Sequence, residues 1–187
     1  HKSASMNVTK KLVQNVIIAC AIVTVVVAVM YFCAQYILYQ ATPTEYIQQG
    51  SYKRAILHYT LKILKDPDNA TLYYNRGLVY MMYKDYDNAI NDYEKALKLH
   101  KHVSYYQNKA LAHFYLGQYD KSIEENTNGL KLYPQSGMLY YNRGRAYYMK
   151  GEILNALEDF KKAYTLGIEQ ARGYIENIEK IKNKSNK

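Results

Sequence analysis

The feature that most constrains this chain is a segment that returns at a fixed interval. Tyr73-Tyr74-Asn75-Arg76-Gly77, followed by Ala89-Ile90 and Ala96-Leu97, comes back as Tyr140-Tyr141-Asn142-Arg143-Gly144, followed by Ala156-Leu157 and Ala163-Tyr164. Between them lies a weaker copy, with Ala110 in place of the glycine and then Ser122-Ile123 and Gly129-Leu130. From Gly77 to Ala110 is 33 residues and from Ala110 to Gly144 is 34. A unit of that length is two antiparallel helices that cannot bury their apolar faces alone, so the units must stack into one solenoid. In the clearest copy Ala89, Ile90, Tyr93, Ala96 and Leu97 share one stripe at helical period, which leaves Asn91, Asp92, Glu94, Lys95 and Lys98 to face water. Gly77 opposite Ala89, and Gly144 opposite Ala156, are small where two helices come close.

Turn chemistry divides the chain further. Gly117-Gln118 and Gly151-Glu152 stand where first helices end, and Asp66-Pro67-Asp68-Asn69 and Tyr133-Pro134 close second helices. The repeats are therefore 70–102, 103–136 and 137–170. A partial unit at 42–69 precedes them, with Thr42 as N-cap, Glu45 as its capping-box partner, and a second helix from Gly50 to Pro67. The segment 171–187 reads as a capping helix and basic tail, with Tyr174, Ile178 and Ile181 on its inner side. These residues resemble the tetratricopeptide repeat (TPR) family over roughly residues 44 to 170. The resemblance implies an all-α helix-turn-helix solenoid of three full repeats, a partial N-terminal one and a C-terminal cap.

Ahead of the repeats, Val16 to Ala34 run VIIACAIVTVVVAVMYFCA with Thr24 the only clearly polar position. A helix of this length spans a hydrocarbon core of ~30 Å, and the segment 12–39 reads as a single transmembrane helix with its interfacial flank. Tyr31, Tyr36 and Tyr39 gather at its C-terminal end as an aromatic belt does. The competing reading is a cleaved signal peptide with Ala19-Cys20-Ala21 as the processing site, against which the apolar sequence continues well beyond Ala21. Ile17-Ile18-Ala19-Cys20 faintly resembles a lipoprotein site, yet a lipidated cysteine should be followed by polar sequence. Cys20 and Cys33 stand ~20 Å of helix rise apart and cannot pair within the chain. Lys2, Lys10 and Lys11 precede the span, whereas the first cations after it are Lys53 and Arg54. By the positive-inside rule residues 1–11 stay cytoplasmic and the repeats are exported, to a bacterial periplasmic face or a mitochondrial intermembrane space. The TPR import receptors of the mitochondrial outer membrane, which face the cytosol, have the opposite layout. His1 to Ser5 precede Met6 and read as an expression scar or a processed end.

The formal charge of +9 is spread along the chain, so no patch argues for nucleic acid, and the tyrosines that might stack on bases recur at repeat spacing. Catalytic residues are not apparent: there is no phosphate loop, and Asp85/Asp87 and Glu124/Glu125 lie at turns or on solvated faces. His100-Lys101-His102 has no acid or cysteine beside it to complete a metal site. Asn7-Val8-Thr9 and Asn69-Ala70-Thr71 match the glycosylation sequon, which matters only in a secretory compartment. The reading is a non-enzymatic module without metal, cofactor or small-molecule substrate.

What remains is a groove. In the TPR family the first helix of each repeat lines a concave surface, and the resemblance puts Thr71, Tyr74, Asn75, Leu78, Met81 and Met82 there from one repeat. The next supplies Ser104, Gln107, Asn108, Leu111, Phe114 and Tyr115, and the last Met138, Tyr141, Asn142, Arg145, Tyr148 and Met149. Asn75, Asn108 and Asn142 form a ladder whose amides can hold an extended peptide by its backbone, similar to the asparagine ladder of a glycosyltransferase TPR superhelix. Alternatively these amides satisfy neighbouring backbone or water. TPR domains that clamp the acidic C-termini of heat-shock chaperones carry lysine and asparagine, then asparagine, then lysine and arginine. Here those sites are Tyr74 and Leu78, Asn108, and Met138 and Asn142, so only the middle one matches. The layout is similar to that of translocon-associated bacterial TPR proteins. It implies a membrane-anchored adaptor or assembly factor binding a protein partner, or alternatively a structural subunit of a large membrane complex.

Overall fold

A computed structural model of the chain describes residues 14–32 and 42–185. The expectations for His1–Ser5, Lys2, Asn7-Val8-Thr9, Lys10, Lys11, Cys33, Tyr36 and Tyr39 fall outside the described residues. Among those described there are ten helices and no strand, in two compact units that divide after Glu45.

In the first unit, α1 (Gln14–Phe32) is 19 residues of mostly β-branched and small side chains, all of them exposed. Its length and composition suffice to cross a bilayer. Thr24 donates its Oγ1 hydrogen to the Ala21 carbonyl at 2.8 Å, so the hydroxyl in the middle of the helix is satisfied by its own backbone. The unit ends in a capping box: the Glu45 amide donates to Thr42 Oγ1 at 3.4 Å and the Thr42 amide to Glu45 Oε2 at 3.1 Å. This starts α2 (Pro43–Gln48), a helix of six residues.

The second unit continues with α3 (Tyr52–Lys65), α4 (Ala70–Met82), α5 (Tyr86–Leu99), α6 (Val103–Tyr115), α7 (Tyr119–Leu132), α8 (Gly137–Lys150), α9 (Ile153–Thr165) and α10 (Ala171–Ser185). Each first helix reverses through one left-handed residue: Gly117 (φ 72) after α6, Gly151 (φ 81) after α8, and Lys84 (φ 62) after α4. Lysine at that angle is strained where glycine is not. Asp85 then caps α5 by accepting the Asn88 amide, and His102 caps α6 through Nδ1, which accepts the Ser104 amide at 3.3 Å.

Consecutive helices from α3 to α10 pack as neighbours, and the first helices also pack on one another, α4 on α6 and α6 on α8. The second helices α5, α7 and α9 show no comparable mutual packing, so the row α4, α6, α8 forms the inner side of the stack. The contact within each pair is a small residue under a ring. A Cβ at Gly77 would lie 2.6 Å from Tyr93 Cε1, and one at Gly144 would lie 3.0 Å from Phe160 Cε1. Gly129 is required by its surroundings too, since a Cβ there would lie 2.9 Å from Leu139 Cδ1 and 3.0 Å from Tyr106 Cβ. α10 closes the stack by laying Tyr174 flat on Phe160, centroids 4.4 Å apart, and edge-on to Tyr141 and Tyr148. On α10 Ile178 is buried, but Ile181, expected on the inner side, is 61% exposed: it lies one turn beyond the packing that covers Ile178.

Candidate functional site

The inner row is held by charges that the polarity pattern alone assigns wrongly. Asp92, expected to face water, is 4% exposed, because it is one end of a clamp through three helices. Arg76 on α4 donates from Nε and Nη2 to the two Asp92 oxygens on α5 at 2.8 and 2.7 Å, and from Nη1 to Thr60 Oγ1 on α3 at 2.9 Å. The same clamp recurs as Arg143 on Asp159, at 2.7 and 2.8 Å, and on Thr127 at 3.1 Å. Each guanidinium also lies near two tyrosine rings, Tyr73 and Tyr80 or Tyr140 and Tyr147. In the middle repeat the cation is Lys109, whose Nζ is 3.0 Å from Glu94 and 2.9 Å from Glu125. Glu125 is thus a paired, half-buried acid, where the sequence pattern places it on a solvated face.

Burial pushes the carboxyls of Asp92 and Asp159 above the usual carboxylate range, and the arginine beside each opposes that rise. The carboxylates in turn hold both guanidinium groups above the usual arginine value. Burial pulls the Lys109 ammonium down, but Glu125 and Glu94 more than reverse it. All three cations are matched within the fold, so their work is structural.

The groove residues divide by what they already touch. Tyr74 packs against Tyr105 with the rings tilted and their centroids 4.8 Å apart, and accepts an Asn108 Nδ2 hydrogen at 3.2 Å. The other Asn108 amide contact goes to the Ser104 carbonyl at 2.9 Å, so this asparagine is committed to joining α4 and α6. Gln107 donates to Ser136 Oγ at 3.2 Å across the next turn. Tyr141 packs on Phe160 and Tyr174, and Tyr115 stacks on Tyr86 at 5.4 Å while remaining exposed. Arg145 lies over Phe114 at 4.5 Å and Tyr141 at 5.8 Å. Leu78 is half-buried, and Met82 and Met149 are exposed at the ends of their helices. The side chains of Asn75, half-buried, and Asn142, 9% exposed, make no hydrogen bond among the described residues. The ladder is therefore uneven: its middle rung is spent on the fold and its outer rungs are free.

No three His, Cys, Asp or Glu side chains among the described residues come together as a metal site requires. His102 serves as a helix cap, and His113 shares a 2.8 Å hydrogen bond with Gln118.

Three family models match successive parts of the chain: a TPR repeat model over residues 44–82, and two tetratricopeptide repeat models over 70–102 and 108–172. The repeats are tetratricopeptide repeats. Stress-induced-phosphoprotein 1 of Caenorhabditis elegans is 33% identical over 55 residues, 29% of this chain and only 17% of that protein. Among solved structures, MamA superposes with a TM-score of 0.63 at 20% identity, covering 80% of this chain and 99% of that one. The first TPR of Spaghetti (RPAP3), solved bound to the HSP90 peptide SRMEEVD, superposes with a TM-score of 0.57 at 21% identity, covering 60% and 91%. At these identities both show a shared fold.

TPR domains mediate protein–protein contact, which fits a row of first helices carrying unspent amides and exposed apolar side chains. The sequence signal that could have exposed the clamps is their arithmetic: Thr60, Arg76 and Asp92 are spaced by 16 residues, and so are Thr127, Arg143 and Asp159.

Proposed function

We propose that this chain is a membrane-anchored TPR scaffold, an adaptor or assembly factor that holds an extended segment of a protein partner along α4, α6 and α8. The observation that carries the reading is the pair of uncommitted amides, Asn75 and Asn142, at repeat spacing on the inner row. The polar atoms of both amides reach the surface of the groove with donor and acceptor unused, and a peptide backbone offers both an acceptor and a donor to match them. The exposed Met82, Tyr115 and Met149 at the ends of the same helices add adaptable apolar contact. The peptide bound to the RPAP3 repeat supports this use of the fold. Its acidic clamp is not the model, since Tyr74, Leu78, Met138 and Asn142 stand where such clamps carry other residues.

α1 supports the anchor by its length and its wholly exposed apolar surface. Lys10 and Lys11 support a cytoplasmic N-terminus with the repeats on the exported side. The same apolar surface would also suit a subunit packed permanently among other membrane helices. Extraction in mild detergent separates the two: an adaptor emerges free or substoichiometric, a structural subunit in a complex of fixed stoichiometry. Within either, Asn75→Ala with Asn142→Ala is expected to weaken retention of the partner at least about fivefold, the worth of a buried hydrogen bond of ~1 kcal/mol. Unchanged retention by a folded variant would refute the groove.

A further inference from the structure

The arginines and lysines of the inner row are Arg76 on α4, Lys109 on α6, and Arg143, Arg145 and Lys150 on α8. Four of them meet carboxylates: Arg76 meets Asp92, Lys109 meets Glu94 and Glu125, Arg143 meets Asp159, and Lys150 meets Asp120 and Glu152. Arg145 is the exception. It is half-buried in the groove and makes no ion pair and no hydrogen bond among the described residues. Two rings hold it in place, Phe114 of α6 at 4.5 Å and Tyr141 of α8 at 5.8 Å. Ring contacts fix the plane of a guanidinium while leaving its hydrogen-bond donors unused. The uncommitted Asn142 sits three residues earlier, on the same face of α8.

Building on the groove reading above, we infer that Arg145 is the anchor for a side-chain carboxylate of the bound partner segment. The partner's Asp or Glu meets the guanidinium while its neighbouring backbone meets the Asn142 amide, and Phe114, Tyr141 and Tyr148 take the flanking apolar side chains. Charge complementarity sets the sign: a cation fixed among rings and paired with no acid among the described residues lacks only an anion. The carboxylate is internal to the segment rather than the chain end. The inner row does not stop at α8, because α10 follows it, resting on Tyr141 and Tyr148 through Tyr174, so a chain laid on Arg145 runs on in both directions.

The test uses the full chain in lipid nanodiscs, with empty nanodiscs as background. The probes are four pools of neutral-dye-labelled dodecapeptides that alternate Ser or Gly with varied apolar residues. Their central residue is fixed as Asp or Asn, and their C-terminus is free or amidated. Fluorescence anisotropy is expected to show the Asp pools binding about tenfold or more tightly than the Asn pools, the usual worth of a hydrogen bond to a charged group. Amidation should leave that preference intact, and R145Q should erase it, bringing the Asp and Asn pools to equal affinity, with the melting temperature as the check that the variant folds. The comparison of Asp with Asn on the unaltered chain stands whether or not the variant folds. Equal binding of Asp and Asn pools would overturn the carboxylate anchor and leave the groove standing. A preference that survives in folded R145Q would overturn the assignment to Arg145, and one lost on amidation would overturn the internal carboxylate. Binding of no pool above background would overturn the anchor and the groove reading together.

Discussion

The outer repeats, 70–102 and 137–170, and the middle repeat between them fill the same positions with different chemistry. In the outer two a glycine faces a fully buried ring, Gly77 under Tyr93 and Gly144 under Phe160. At the equivalent positions the middle repeat has Ala110 and Asn126, both fully buried. The outer clamps are bidentate arginine on aspartate with a threonine behind it, whereas the middle one is a lysine between two glutamates. The lattice therefore fixes a combined size and a charge match at each helix crossing, and does not fix which residues supply them. Two of the three repeats leave an oxygen unpaired at this position among the described residues: Asn126 donates to the Ser122 carbonyl but its Oδ1 is buried without a partner, and Tyr93 Oη likewise has none, whereas Phe160 has no polar atom to satisfy.

The largest expected difference between the two kinds of repeat is in ring removal. Phe160→Ala should cost about 3–5 kcal/mol by leaving a cavity under Gly144. Asn126→Ala should cost under about 1 kcal/mol, because it gives up one hydrogen bond and removes an unsatisfied oxygen. Urea unfolding of the two variants measures both, and equal costs would break the comparison. The clamps come next. Asp159→Ala strands a half-buried guanidinium, which keeps only Thr127, at a cost of about 2–3 kcal/mol, while Glu125→Ala should cost about 1 kcal/mol, since Lys109 keeps Glu94. A double-mutant cycle then tests the size rule itself. Asn126→Phe alone should overpack the middle crossing by about 1–3 kcal/mol, and adding Ala110→Gly should recover at least about 1 kcal/mol through coupling of the two sites. Additive effects would mean the positions do not share one space.

The smallest effect is expected with the opposite sign. Tyr93 Oη is buried without a hydrogen-bond partner among the described residues, and burial pushes its phenol far above the ordinary tyrosine value. Tyr93→Phe, which copies Phe160, should raise stability by about 1 kcal/mol. A loss of stability on thermal unfolding would show that the hydroxyl has a use.

The solenoid was legible because its period is carried by residues whose size has a single use: small at the helix crossings, aromatic beneath them, and glycine at the left-handed turns. The clamps were not read, because a polar residue on a helix is ordinarily a solvated one, and Asp92 and Glu125 become core only through a cation on another helix. The groove was legible as a face but not in its commitments. Nothing in the residue Asn108 distinguishes it from Asn75 or Asn142; only the proximity of Tyr74 and Ser104 does. Gly129 reads as a helix defect in sequence, and in the fold it makes room for Leu139 and Tyr106.

The account rests on the inner row being the face that holds a partner. Photo-crosslinking in native membranes tests this most directly, with a benzophenone amino acid placed singly in the full chain at Met82 or Met149 on the inner row, or at Lys98 or Lys162 on the exposed faces of α5 and α9. The account expects one and the same partner adduct from Met82 and Met149 and none from Lys98 or Lys162. Adducts confined to Lys98 and Lys162 would contradict it.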